Sequence, residues 1–363
     1  MFVSILCAQL IPNTPFSGQA AQTTSSQNLI SFVTAHIAPL ILAPSALAAP
    51  ASHMHKHAKK KKHLPKPHRS SATYLTKLGW AVPQGTIASS ALQTPVTSLK
   101  LVEWDEQIDT LMSATNAEKP KWAAVLLNGY QLKLACNNGW IQSLNIDNES
   151  TTCGVTGGTS DLALAWDRSH LESPPNWVDF WNVARLPGRR GLHLGARTTL
   201  EIALLADGVD PQDIYTALST EAGVQRAFHQ LDLLRPYIVW WKTPADAANI
   251  MAQSSALMTS APMTEIASVS TKVKAGLASS IFIAQHNNIL RTEMFWAIPK
   301  NVPLHIAQKT LGDLRSINPH IDDVINENVN SHDTILPINE SFWAEHSDEL
   351  EKQFQTWYKN GRL

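Results

Sequence analysis

Acidic residues are missing from the first 102 positions of this 363-residue chain, and Glu103 is the first of them. Seven of the 29 Lys and Arg fall at positions 56–69, so the chain from Ser70 onward carries the remaining 22 against all 30 acidic residues. A basic segment precedes an acidic globule. Such a body favours a cationic ligand, and it is also the ordinary condition of a solvated surface. No nucleic-acid partner is expected. The apolar stretch 29–43, LISFVTAHIAPLILA, is broken by His36 and Pro39 and is too short for a bilayer span. The chain has no G-x-x-x-x-G-K-[ST] and no G-x-G-x-x-G, which excludes the usual phosphate-cradling loops. It also lacks HExxH and any nucleophile–base or paired-carboxylate spacing, so neither an enzyme nor a cofactor is expected. Cysteine is scarce, with Cys7, Cys136 and Cys153 alone, and the five tyrosines are all isolated from one another.

Residues 29–43 and the adjoining Ser45-Ala46-Leu47-Ala48-Ala49 match the apolar region and A-x-A cleavage signal of an exported protein. Residues 1–48 are therefore read as a signal peptide cut after Ala48. It is atypical, because no Lys or Arg precedes Lys56. Residues 49–72 are a His/Lys-rich basic linker, read as disordered and solvated or as adhesive to an anionic envelope polymer. In an exported chain Cys136 and Cys153 are an even pair in an oxidising compartment, and they are expected to form a disulfide. The alternative is two buried thiols.

The rest of the chain is too long for one ordinary core and rich enough in apolar residues for two. It alternates strand and helix, which implies α/β architecture. Strands are expected at 75–80, 98–104 and 122–127, the last a continuous apolar run of the kind buried in a parallel sheet. A short helix is expected at 85–92. Asp105 is expected to cap a helix through Met112, and another helix to run over 129–136. The glycine-containing segment 153–160 reads as a hinge strand. The stretch 177–208 is the one around which the chain is organised. Trp177 and Trp181 share a helical turn, Pro187-Gly188 breaks it, and Arg189-Arg190 lead into a short strand. A helix then runs to a stop at Gly208. Further on come an amphipathic helix over 221–235, a strand at 238–241 and a helix capped by Thr243 with Pro244 in its first turn. Short strands at 256–258, 281–283 and 295–299 precede a final amphipathic helix.

These segments resemble the extracellular solute-binding proteins of ABC importers, in their spermidine/putrescine-binding branch. The likeness covers roughly residues 74–363. It is carried by W-x-D-F-W-N-V at 177–183, P-G-R-R-G-L at 187–192, L-E-I-A-L-L-A-D-G-V at 200–209 and R-A-F-x-x-L-D-x-L-x-P-x-I-V-W-W at 226–241. F-W-A-I-P-K at 295–300 and F-W-A-E-H at 342–346 extend it. The resemblance implies a two-lobed α/β fold of the type 2 periplasmic-binding-protein kind, with a ligand cleft between the lobes. Lobe 1 is expected at 73–158 and 291–363 and lobe 2 at 159–290, with hinge crossings near 156–165 and 284–294. It also implies a periplasmic monomer that hands a small organic solute, polyamine-like by family, to an inner-membrane ABC permease. An iron-binding relative typically needs adjacent tyrosines, which are absent.

A polyamine site needs carboxylates for ammonium groups and aromatic faces for methylenes. The candidates carried over are Trp80, Asn128, Gly129, Thr159, Ser160, Arg197, Trp241, Ser260 and Glu293, with no metal site. Several have a plainer alternative: Trp80 and Trp241 as packing, Glu293 as a solvated charge, Arg197 as one half of a salt bridge. Arg197 otherwise suits an anionic ligand group. Arg189 and Arg190 are assigned to the hinge or to a permease contact. Met258 to Met263 replaces a family pattern that usually holds Trp-Asn, and Met294 stands where an acid is common. The competing function is a binding fold that has lost its transport ligand and acts as an envelope interaction or sensor protein.

Overall fold

Trp122–Asn128 is buried at all seven positions, and this run forms the inner strand β3 of the sheet's first half. In the computed structural model the described residues are 78–84, 100–147, 150–274, 281–314 and 333–361. Strands β1 (Gly79–Pro83) and β2 (Leu101–Trp104) lie beside β3 in parallel, in the order β2-β1-β3. The expected signal peptide and basic linker lie outside the described residues, as does the helix expected at 85–92.

Two long strands carry the sheet onward. β6 (Val155–Asp167) and β11 (Ile289–Ala297) pair antiparallel, with Thr292 opposite Ser160 and Glu293 opposite Thr159. β11 also pairs with β3, and β6 pairs with β9 (Met258–Pro262). Beyond β9 come β7 (Arg190–His193) and β8 (Ile238–Trp241), again parallel. The path reads β2-β1-β3-β11-β6-β9-β7-β8, with β10 (Phe282–Ala284) on β6 and β12 (Ile335–Pro337) on β11. A separate hairpin joins β4 (Leu144–Asp147) to β5 (Ser150–Thr152). Two parallel groups are thus spliced by an antiparallel pair. The register slips at Met294/Phe295, opposite Gly158, whose φ of 103° only glycine adopts readily. Mixed α/β architecture and the expected strand alternation are both present.

Sequence chemistry explains most of the helix starts. Asn128 opens Gly129–Asn137 with a reciprocal capping box to Gln131, Asn176 does the same for Trp177–Trp181, and Thr243 for Pro244–Ala252. Asp105 behaves differently from expectation. The helix begins at Ile108 with Gln107 at its cap position, because Glu106 turns the chain at φ 57°. Asp105 instead accepts from Gln107 N–H and from the Thr110 hydroxyl.

Thr199–Ala206 is buried at every position and forms the centre of the largest apolar cluster. Helix Glu221–Leu234 covers it with Val224, Ala227 and Leu231. The last helix, Glu340–Asn360, places Phe342, Trp343, Leu350 and Phe354 in the same cluster. Arg190, expected at a hinge or permease contact, is fully buried. Its guanidinium donates to the carbonyls of Phe180, Leu186 and Gly188 at 2.6, 2.6 and 2.8 Å. It closes the C-terminal end of Trp177–Trp181 and holds the loop beyond it, while burial lowers its pKa to about 10. Cys136 and Cys153 form a disulfide that ties the end of helix Gly129–Asn137 to the start of β6.

Candidate functional site

In parallel sheets the segments after the strands' C-terminal ends build ligand sites. Here three such segments converge. Glu106 comes after β2, Asn128, Gly129 and Tyr130 stand at the end of β3, and Arg197 comes after β7 just ahead of helix Thr199–Ala206. The crossing strand β11 adds Thr292 and Glu293, and Glu340 enters from the first turn of the last helix.

Arg197 is the centre of this group. Its Nη2 donates to Glu340 Oε1 at 2.6 Å and, more weakly, to Thr292 Oγ1 at 3.4 Å. Its guanidinium lies 5.3 Å from the Tyr130 ring centre, within cation–π range. Among the described residues its Nε is buried without an acceptor. Glu340 turns its other oxygen to the Tyr130 backbone N–H at 2.9 Å, one of the free donors in the first turn of helix Gly129–Asn137. Gly129 makes room for it, since a Cβ there would lie 2.5 Å from Glu340 Cγ.

The electrostatics follow from burial around one cation. Desolvation pushes the Glu106 carboxyl up to about 7, against the pull of Arg197. Glu340 is also raised by burial, with Arg197 and the Tyr130 N–H opposing. Tyr130 is pushed up to about 12 by the same enclosure. His193, on β7 behind Arg197, is lowered by burial. The backbone is strained at two points of the group, with φ 57° at Glu106 and 70° at Thr198. Beside Glu340 opens a cavity of about 350 Å³, lined by Lys133, Glu293, Phe295 and Ile338 among others, a size that suits a small solute. Arg291 on its wall is paired with Asp161 through two bonds of 2.6 and 2.8 Å.

Of the residues singled out in the sequence, Gly129, Arg197 and Glu293 lie in this group, and Thr159 and Ser160 lie beside it on β6. Asn128 sits at its edge, but its side chain is used in the cap. Trp80 is packed edge-on against Trp296 at 5.2 Å in the core behind β3. Trp241 is buried against His193 and donates to the equally buried Ser260 at 3.2 Å. These three are core residues. Glu106, Tyr130 and Glu340 were not singled out. Glu106 and Tyr130 had a legible signal, their place just after apolar strands. Glu340 had none, because it comes to Tyr130 from 210 positions away.

The fold and site define a two-lobed α/β binding protein with its polar group at the meeting of the sheet's two halves. The chain belongs to the family of bacterial extracellular solute-binding proteins, whose family model matches residues 93–304. It is 28% identical over 292 residues to the gamma-aminobutyric acid-binding protein of Pseudomonas aeruginosa, covering 70% of this chain and 81% of that one. Among solved structures, an ABC transporter substrate-binding protein from Bradyrhizobium japonicum USDA 110 aligns with a TM-score of 0.63 at 20% identity. It covers 77% of this chain and 98% of its own. The binding protein MotA of A. tumefaciens B6, in complex with glucopine, aligns with a TM-score of 0.61 at 18% identity, over 77% and 99% of the two chains. A GABA receptor aligns with a TM-score of 0.59 at 18% identity, over 77% and 97%. No helix among the described residues is long and apolar enough to cross a membrane.

Proposed function

We propose that the chain captures a small zwitterionic amino acid of the γ-aminobutyrate type in the periplasm and delivers it to an ABC permease. Arg197 carries this reading. A largely buried guanidinium with an unpartnered Nε, among the described residues, stands at the convergence of three strand ends, beside a cavity of solute size. A guanidinium suits a carboxylate because its forked donors match the two oxygens. Glu293 supplies negative charge for an ammonium group, and Tyr130 supplies an aromatic face. The names of the Pseudomonas relative and of the GABA receptor point the same way. Binding would close two lobes, 73–158 with 291–363 and 159–290, about crossings near 156–165 and 284–294.

The carboxylates of Glu293 and Glu340 on one cavity wall favour a second reading, a polyamine. It is weaker, because a polyamine brings no carboxylate for the forked donors of Arg197. The test is calorimetric titration of the purified protein with γ-aminobutyrate, other ω-amino acids, α-amino acids, putrescine and spermidine. Micromolar binding of ω-amino acids is expected, lost in Arg197→Ala. Binding of polyamines alone would overturn the amino-acid reading. No binding by any compound would favour a non-transport envelope or sensor role.

A further inference from the structure

The anion-binding parts of this site are already engaged by one of the protein's own carboxylates. Glu340 sits between a helix first turn and an arginine, the two groups best suited to hold a ligand carboxylate. One oxygen takes the Tyr130 N–H at 2.9 Å and the other takes Arg197 Nη2 at 2.6 Å. The seat is shaped for it. A Cβ at Gly129 would come within 2.5 Å of Glu340 Cγ and 2.8 Å of its Cβ, so this glycine is required for Glu340 to reach the helix. Glu340 is also held in place from its own side. It lies in the first turn of a helix capped by Asn339 and anchored by Trp343, which is 1% exposed.

From this geometry we propose that Glu340 is an internal competitor for Arg197 and sets which solutes the site accepts. A solute carboxylate binds only as far as it outcompetes or displaces this built-in carboxylate. A solute without a carboxylate meets an arginine already neutralised. Glu340 therefore weakens carboxylate binding and raises tolerance of cations, so the ratio between the two is its signature. The choice of γ-aminobutyrate as probe rests on the amino-acid reading; the occupied anion seat does not.

The experiment compares wild type, Glu340→Gln and Glu340→Ala by calorimetry with γ-aminobutyrate and putrescine, which share an amine-bearing chain and differ in the group at the far end. Both variants should bind γ-aminobutyrate at least tenfold tighter and putrescine no tighter, shifting the ratio by tenfold or more. An unchanged ratio, or weaker γ-aminobutyrate binding in a variant with unaltered melting, would overturn the proposal, the latter by making Glu340 a ligand for the ammonium. A second arm needs no natural solute. Acetate should raise the melting temperature of Glu340→Ala saturably and leave wild type unmoved, because it refills the vacated seat. Acetate stabilisation without γ-aminobutyrate binding by any form would uphold the Glu340 assignment and sink the amino-acid reading. No acetate effect would sink the Glu340 assignment itself.

Discussion

Trp343 donates its indole N–H to Glu201 at 2.7 Å, with both side chains essentially excluded from solvent. The same oxygen accepts from the Tyr215 hydroxyl at 3.1 Å, and Glu201 Oε2 is buried without a partner among the described residues. Burial pushes the Glu201 pKa up, so the group is held toward its neutral form inside the cluster that joins helix Thr199–Ala206 to the last helix.

Stability should therefore fall as pH rises. Glu106, Glu201, Glu265 and Glu340 all have pKa values raised by burial, Glu106 to about 7. Between the ordinary carboxylate range and the folded pKa, the native state holds protons that the unfolded chain releases, so unfolding gains as pH rises. His193, lowered by burial, works the other way only up to the ordinary histidine range, so melting temperature should decline from about pH 6.5 toward pH 8, and Glu201→Gln, permanently neutral, should flatten part of that decline. An equally steep decline in the variant would place the proton elsewhere.

Arg190→Met should be strongly destabilising. It leaves the buried Phe180 carbonyl and the part-buried carbonyls of Leu186 and Gly188 without their donor, and an orphaned buried group costs about 1–3 kcal/mol. A loss of about 2 kcal/mol or more is expected in urea denaturation. Solute affinity of the folded fraction should be unchanged, since Arg190 is packed under the loop rather than in the site.

Trp80→Ala separates packing from recognition. Truncating a core Trp typically costs about 3–5 kcal/mol, and Trp80 packs directly on Trp296. Stability should drop by that order while the solute Kd of folded protein stays within twofold. A large loss of affinity with little loss of stability would return Trp80 to the ligand.

Reducing the disulfide, or replacing Cys136 and Cys153 by Ser, should cost about 3 kcal/mol from loop entropy over a separation of 17. The effect should appear as a lower urea midpoint under dithiothreitol, absent in the double Ser variant. Since the bridge anchors the helix that carries Gly129 and Tyr130, solute affinity under reduction should fall only where the fold itself loosens.

Gly129→Ala tests the Glu340 seat through coupling. Alone it should destabilise by about 1–3 kcal/mol, as overpacking does. In the Glu340→Ala background part of that cost should vanish, because Glu340 Cγ at 2.5 Å and Cδ at 3.0 Å are gone and only its Cβ at 2.8 Å stays. Additive effects in chemical denaturation would mean that Gly129 is needed for some other contact.

Local chemistry decided much of this molecule. The run Trp122 to Leu127 reads as a buried strand, because it is short and offers no polar face. Thr243 and Gly208 marked helix ends through a cap and a positive φ that act within four residues. The even cysteine pair and the family motifs at 177–241 likewise depended on neighbours in the chain. The contacts made across the chain were left open. Nothing near Trp80 or Trp241 distinguished a ring facing a ligand from one facing Trp296 or His193. Arg190 and Arg197 are both arginines near short strands. Only the packed structure turns one onto three carbonyls and the other onto Glu340, since a charge takes its role from whichever partners burial brings within hydrogen-bond reach. The fold class was therefore written in periodicity and caps, and the site was made by tertiary structure, which alone brings Tyr130, Arg197 and Glu340 together.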